Sequence, residues 1–282
     1  SGQYGSWSTH EIDIYGAADE GFPVDPEELK QRYPSDIWQQ EFCCQFLSDI
    51  NQYFSHDLIR SMQYDEDDVP EWNTTRSERY AGIDVASSRD GSVFVDGKKE
   101  LLEVSSGTPA DRASRFWVGL VETIKQAGER MDYTPQFRRA CELLDGDAYR
   151  GVGVDATGEG AQLGQDLRRE YNASVIHEIK GSQWKEVYDL VPQMRLDAEQ
   201  GRFRIPHNRK LRNAFTKIQR IQATNGEPKF VATRDAEGHA DEFSATLLAY
   251  YASKRSSGGN PLNDLPDRNR DRSSRKADRM SF

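Results

Sequence analysis

Apolar residues recur along the chain in short runs separated by Gly, Asp, Pro and Ser, the pattern of an α/β protein. Residues 80–85 read as a strand, 92–95 as a second and 100–104 as a third, with Asp90-Gly91 and Asp96-Gly97 between them as hairpin signals. Thr108-Pro109 then opens a helix expected to reach about Arg130, with Phe116, Leu120, Val121 and Ile124 at helical spacing. Residues 131–149 carry no decisive pattern. A fourth strand is expected over 151–155, a helix over 159–171 and a fifth strand over 174–179. Trp184, Val187, Tyr188 and Val191 share a helix face that Pro192 kinks or ends. A short strand at 202–205, a helix at 208–222, a strand at 229–233 and an amphipathic helix at 241–254 complete the reading. The fold class is a mixed α/β sheet, three antiparallel strands followed by parallel ones, flanked by helices. Right-handed crossovers place strand four beside strand one.

Upstream, residues 11–14 alternate as one short strand, and helices are expected from Pro26 and from Ser35 to about Asp49. The acid run Asp65-Glu66-Asp67-Asp68 and Pro70 suggest a boundary at residues 65–76. Three parts result: an acidic N-terminal segment and linker at 1–75, an α/β domain at 76–254, and a tail at 255–282. The tail is poor in apolar residues, carries 7 bases against 4 acids, and is expected to be disordered. The start at Ser1 reads as a cut end, so a fragment of a longer protein is expected.

Charge sharpens this division. The net charge of -10 argues against nucleic acid as a partner only if it is spread evenly, and it is not. Residues 1–75 hold 16 acids against 3 bases, and the remainder holds 31 against 34. A mean hydropathy of -0.83, with no long apolar run, gives neither a membrane span nor a signal peptide. Cys43, Cys44 and Cys141 show no metal or disulfide spacing and fit a reducing, intracellular setting.

Three aspartates share a grammar that suits metal chemistry. Asp84 closes an apolar strand in Gly-Ile-Asp-Val-Ala, and Asp155 closes another in Val-Gly-Val-Asp-Ala-Thr-Gly. Asp241 opens the last helix. Each has a plain alternative, as turn former, helix cap or dipole partner. Their order is more specific, because adjacent strands bring Asp84 and Asp155 about 4.8 Å apart. Phosphodiester hydrolysis needs an activated water and charge relief on the phosphoryl group. Two Mg²⁺ or Mn²⁺ ions on carboxylate oxygens supply both. Asp90, Glu159, His239 and Glu242 stand where they could support such a site. Residues 201–226 contain Arg202, Arg204, His207, Arg209, Lys210, Arg212, Lys217 and Arg220 with no acid, a stretch suited to a phosphate backbone. Lys180 and Lys185 are further phosphate candidates, and a solvated helix face is the alternative.

The chain resembles the large terminase subunits of tailed phages. The matching pieces are residues 80–87, Asp90-Gly91-Ser92-Val93, residues 152–158, Gly201-Arg202-Phe203-Arg204-Ile205-Pro206 and residues 239–245. Gly21-Phe22-Pro23-Val24-Asp25 and Trp38-Gln39-Gln40-Glu41-Phe42 resemble the stretch that follows the motor domain in that family. The resemblance implies a ribonuclease-H-like endonuclease that cuts concatemeric double-stranded DNA during packaging in the host cytoplasm. Asp84, Asp155 and Asp241 would be the metal ligands, with Glu242 the second acid of a pair. It also implies partners: an ATPase motor domain, the portal and the small terminase subunit. The chain has no GxxxxGK[ST] segment, so motor activity is not expected of it. Other ribonuclease-H-like nucleases such as junction resolvases, an actin-like or sugar-kinase-like ATP-binding domain, and a non-catalytic docking module are the competing readings.

Overall fold

The structure is a computed structural model that describes residues 12–44, 52–68, 77–85, 91–102, 114–125, 133–145, 148–158, 160–222, 228–233 and 240–255. Among these, seven strands form one mixed sheet. They are β1 (Gln63–Tyr64), β2 (Ser77–Asp84), β3 (Ser92–Leu101), β4 (Ser114–Lys125), β5 (Tyr149–Asp155), β6 (Ile176–Ile179) and β7 (Phe203–Pro206), in the order β1-β7-β4-β3-β2-β5-β6. The β2–β3 and β3–β4 pairs are antiparallel, and β2–β5 and β5–β6 are parallel. The expected adjacency of strand-end positions 84 and 155 is therefore present: Ile83 pairs with Val154, and the two aspartates are the next residues on each strand.

Several expected elements differ, each for a local reason. Asp96-Gly97 is not a turn, and β3 runs straight through it. Asp96 is buried and paired with Arg79 at 2.9 Å, while the missing Cβ of Gly97 makes room for the Phe116 ring. The expected helix over 108–130 is instead β4, within the part described. Its apolar spacing imitates a helix because a bulge shifts its register: Val95 pairs with Val121, but Gly97 pairs with Val118. Residues 133–145, undecided from sequence, form helix α5 (Tyr133–Asp145).

At the N-terminal side, the strand expected at 11–14 gives way to helix α1 (Ile14–Asp19), because the Asp13 carboxylate accepts the Gly16 N–H at 2.7 Å and caps it. Helix α2 (Pro26–Lys30) starts at its proline as expected. Ser35 begins the following helix, α3 (Ser35–Ile37), rather than capping it. Helix α4 (His56–Met62) and its surroundings place Tyr53, Phe54, Ile59 and Met62 in the main core, and β1 pairs with β7. Trp38, further upstream, is buried as well. Of the tail expected at 255–282, Arg255 ends the last helix, and residues 256–282 lie outside the described residues.

The sheet has two different faces. Helices α5 and α6 (Gly160–Glu170) pack on Ala81, Ile83, Phe94, Val152 and Val154. The opposite face is covered by α7 (Gln183–Tyr188), α8 (Val191–Glu199), α9 (Arg209–Thr216) and, most intimately, α10 (Asp241–Arg255). The expected helix over 208–222 ends at Thr216. Ile218–Gln222 forms β8, which hairpins with β9 (Pro228–Ala232). Nor is α10 amphipathic: every residue from Phe243 to Ser253 is buried, as a helix enclosed by its own protein requires.

Helix α10 touches the sheet where the strands have no side chain. A Cβ at Gly82 would stand 1.8 Å from the Ala245 carbonyl oxygen, and one at Gly153 would stand 2.5 Å from that of Leu248. Both would meet rigid backbone. We predict that Gly82→Ala lowers unfolding free energy by about 3 kcal/mol or more, at the upper end of overpacking costs. Urea denaturation measures this. A loss under about 0.5 kcal/mol would show that the helix does not seat this closely.

Candidate active site at the strand ends

Side chains alternate along a strand, so Asp84 projects on the same face as Gly82, and Asp155 on the same face as Gly153. That is the face α10 covers. Asp84 is buried, at 8 % exposure, and lies opposite Val93 of β3. Asp155 is half-buried. Its Oδ1 accepts the Thr157 backbone N–H at 2.9 Å and the Trp184 indole N–H at 3.3 Å. Among the described residues no lysine or arginine pairs with Asp155, and burial pushes its carboxyl above the usual range despite those hydrogen bonds.

The third aspartate approaches from the helix. Asp241 is the first residue of α10, and its Oδ2 accepts the Gly91 N–H at 3.0 Å, immediately before β3. Glu242 follows it and is half-buried. Asp90, Glu159 and His239 lie outside the described residues. Among the described residues, no group of three His, Cys, Asp or Glu side chains is drawn together closely enough to hold a metal ion. The structure therefore brings Asp84 and Asp155 to neighbouring positions, and turns Asp241 to a backbone N–H at the same end of the sheet.

Helix α7 supplies residues that sequence reasoning noted only as an apolar face. Tyr188 feels both acids: burial, then the charge of Asp84, and also that of Asp155, push its hydroxyl upward, while a hydrogen bond with Ser244 opposes them. The Trp184 and Tyr188 rings are 5.6 Å apart. Only the i, i+4 spacing of two aromatic residues hinted at this, and it is equally a core pattern.

The basic stretch is put to different uses. Arg202 is bound to Asp197 at 2.7 Å, beside Lys254 and the Tyr250 hydroxyl, in a buried cluster. Arg204 donates to the Gln63 carbonyl at 3.0 Å and lies over the Trp117 ring. His207 is 3.1 Å from Asp65. Lys217, expected on an exposed helix face, is buried at 7 % exposure, and Arg220 is half-buried on β8. Arg209, Lys210 and Arg212 are exposed on α9, with Lys210 also 3.2 Å from the Thr123 hydroxyl. Lys180 pairs with Glu178, and Lys185 is exposed.

No protein-family model and no curated protein matches the chain. Solved structures do. The large terminase of a thermophilic bacteriophage aligns with a TM-score of 0.51 at 11% identity, over 84% of this chain and 54% of that one. At that identity the likeness shows the fold: the chain is folded like part of that phage protein. It spans about half the length of that phage protein. The large terminase nuclease of thermophilic phage G20c with bound magnesium aligns at TM-score 0.46 and 18% identity, over 72% of this chain and 98% of that one. The HK97 bacteriophage large terminase aligns at 0.47 and 16%, over 79% and 48%. No described helix is long and apolar enough to cross a membrane.

The donors at the strand ends are hard oxygens, and Asp155 carries a burial penalty that no cation among the described residues offsets. Both properties fit a divalent cation. They also give a metal-free expectation. A carboxyl whose folded pKa is raised favours the protonated state, so its contribution to stability is full below the unfolded pKa of about 3.9. That contribution is lost as pH rises through the folded value. Asp155→Asn should therefore raise the melting temperature in chelator at pH 7, and the gain should vanish near pH 3. An equal gain at both pH values would mean that charge is not its source.

Proposed function

We propose that the chain is the nuclease portion of a large terminase, hydrolysing double-stranded DNA with Mg²⁺ or Mn²⁺ held by Asp84, Asp155 and Asp241. The observation that carries this reading is the pair of carboxylates ending two adjacent parallel strands, on the face roofed by a helix whose first residue is the third aspartate. Two bound divalent ions would activate a water and relieve charge on the phosphoryl group. The chain's own part is to hold them. Asp84 and Asp155 are fixed by the sheet, and Asp241 by the start of α10. Asp90, Glu159, His239 and Glu242 are supporting candidates, with Glu242 the substitute ligand for Asp241.

DNA would meet Arg209, Lys210 and Arg212, the exposed cations of α9. Arg220 would add to them, whereas Arg202, Arg204 and Lys217 contribute chiefly to the fold. Contacts of this kind read the backbone and carry no sequence information. Cutting of concatemers, action beside an ATPase motor, and assembly with portal and small subunit in the host cytoplasm follow from the resemblance as part of the same proposal.

Plasmid digestion tests the reading. Cleavage should require Mn²⁺ or Mg²⁺ and stop in EDTA. Asn at position 84, 155 or 241 should each reduce it about a hundredfold or more, since the charge that holds the cation is gone. DNA binding should persist. Near wild-type cutting by any variant removes that residue from the ligand set, and full activity in EDTA removes the metal mechanism. Separately, Arg209→Ala, Lys210→Ala and Arg212→Ala together should flatten the plot of log affinity against log salt by about 0.9 for each phosphate left unneutralised. An unchanged slope would mean that α9 only faces solvent.

A further inference from the structure

Helix α7 is six residues long, yet it reaches both halves of the candidate site. Val187 is fully buried in the main core and anchors it. From that anchor Trp184 extends to Asp155, and Tyr188 extends to Ser244, three residues along α10 from Asp241. Two N–H donors, from Trp184 and the Thr157 backbone, fall on the same oxygen of Asp155, and the Thr157 side chain also hydrogen-bonds to the carboxylate. Donors on one oxygen restrict the rotation of a carboxylate. The two rings pack against each other at a tilt on the same helix.

We infer that α7 is a positioning brace for the metal ligands. Through the Trp184 indole N–H it orients Asp155, and through Tyr188 and Ser244 it sets the first turn of α10 against the strand ends. Neither aromatic residue is a ligand itself. The inference rests on Asp155 being a ligand, as proposed above. It assigns a role to a segment that no part of the cation chemistry requires. Groups that hydrogen-bond to ligands set metal affinity because a freely rotating carboxylate must be ordered on binding.

The decisive substitution is Trp184→Phe, which keeps an aromatic ring against Tyr188 and removes the N–H along with part of the indole's bulk. Calorimetric titration of the full chain with Mn²⁺, without DNA, should show affinity reduced about tenfold. The metal-free melting temperature should stay within about 2 °C of wild type. In cleavage assays the Mn²⁺ concentration for half-maximal rate should rise by the same factor, with DNA affinity unchanged. In an Asp155→Asn background, Trp184→Phe should add no further loss, because the group it orients has gone.

The outcomes separate this inference from the reading beneath it. Loss of Mn²⁺ binding in Asp155→Asn with full affinity in Trp184→Phe overturns the brace and leaves the ligand assignment standing. Full Mn²⁺ affinity in Asp155→Asn overturns both. Equal weakening by Trp184→Phe in the wild-type and Asp155→Asn backgrounds also overturns the brace, since the effect would not pass through Asp155. Should Trp184→Phe unfold, Tyr188→Phe serves instead. It keeps the ring and severs Ser244, and the brace requires a weakened Mn²⁺ affinity there too.

Discussion

The seating of α10 on β2 and β5 is the constraint from which the candidate site follows. At Gly82 and Gly153 the helix backbone occupies the space where a Cβ would be. This close approach fixes the height of the helix above the sheet. It also decides which face of each strand the helix covers, and alternation then delivers Asp84 and Asp155 to that face two residues later. The glycines serve as points of close approach, and neither has an unusual φ.

The arrangement has an electrostatic cost that packing must exceed. Two carboxylates about 5 Å apart repel by about 3 kcal/mol at an effective dielectric constant near 20. Against this, α10 buries Phe243, Leu247, Leu248, Tyr250 and Tyr251. Large apolar side chains contribute about 1.5–3 kcal/mol each on burial, which opposes that repulsion. Elsewhere, buried charge is paired: Asp197 meets Arg202 and Lys254, and Asp96 meets Arg79. Asp155 differs in accepting its hydrogen bonds from neutral donors, and the proposed cation site rests on that contrast.

Much of this was legible in the sequence, and the failures are instructive. The β2 and β5 strands were visible because each ends an apolar run at an aspartate, and their parallel adjacency followed from handedness. The β4 strand was not, because its bulge breaks the alternation that identifies strands. Asp96-Gly97 looked like a turn because the Arg79 partner that buries Asp96 is 17 residues away. Part of the acid-free stretch is neutralised by acids that are likewise distant in sequence. Its counter-charges Asp65 and Asp68 come from before the sheet's first long strand. Trp184 and Tyr188 could not be joined to the acids at all, since only folding brings α7 to the end of β5.

The account turns on whether a cation sits between Asp84 and Asp155, and anomalous diffraction from crystals soaked in Mn²⁺ measures that most directly. The account predicts a manganese peak about 2.0–2.2 Å from a carboxylate oxygen of each residue, lost in Asp155→Asn crystals. Manganese bound only at other acidic residues, with the strand ends empty at saturating concentration, would contradict it.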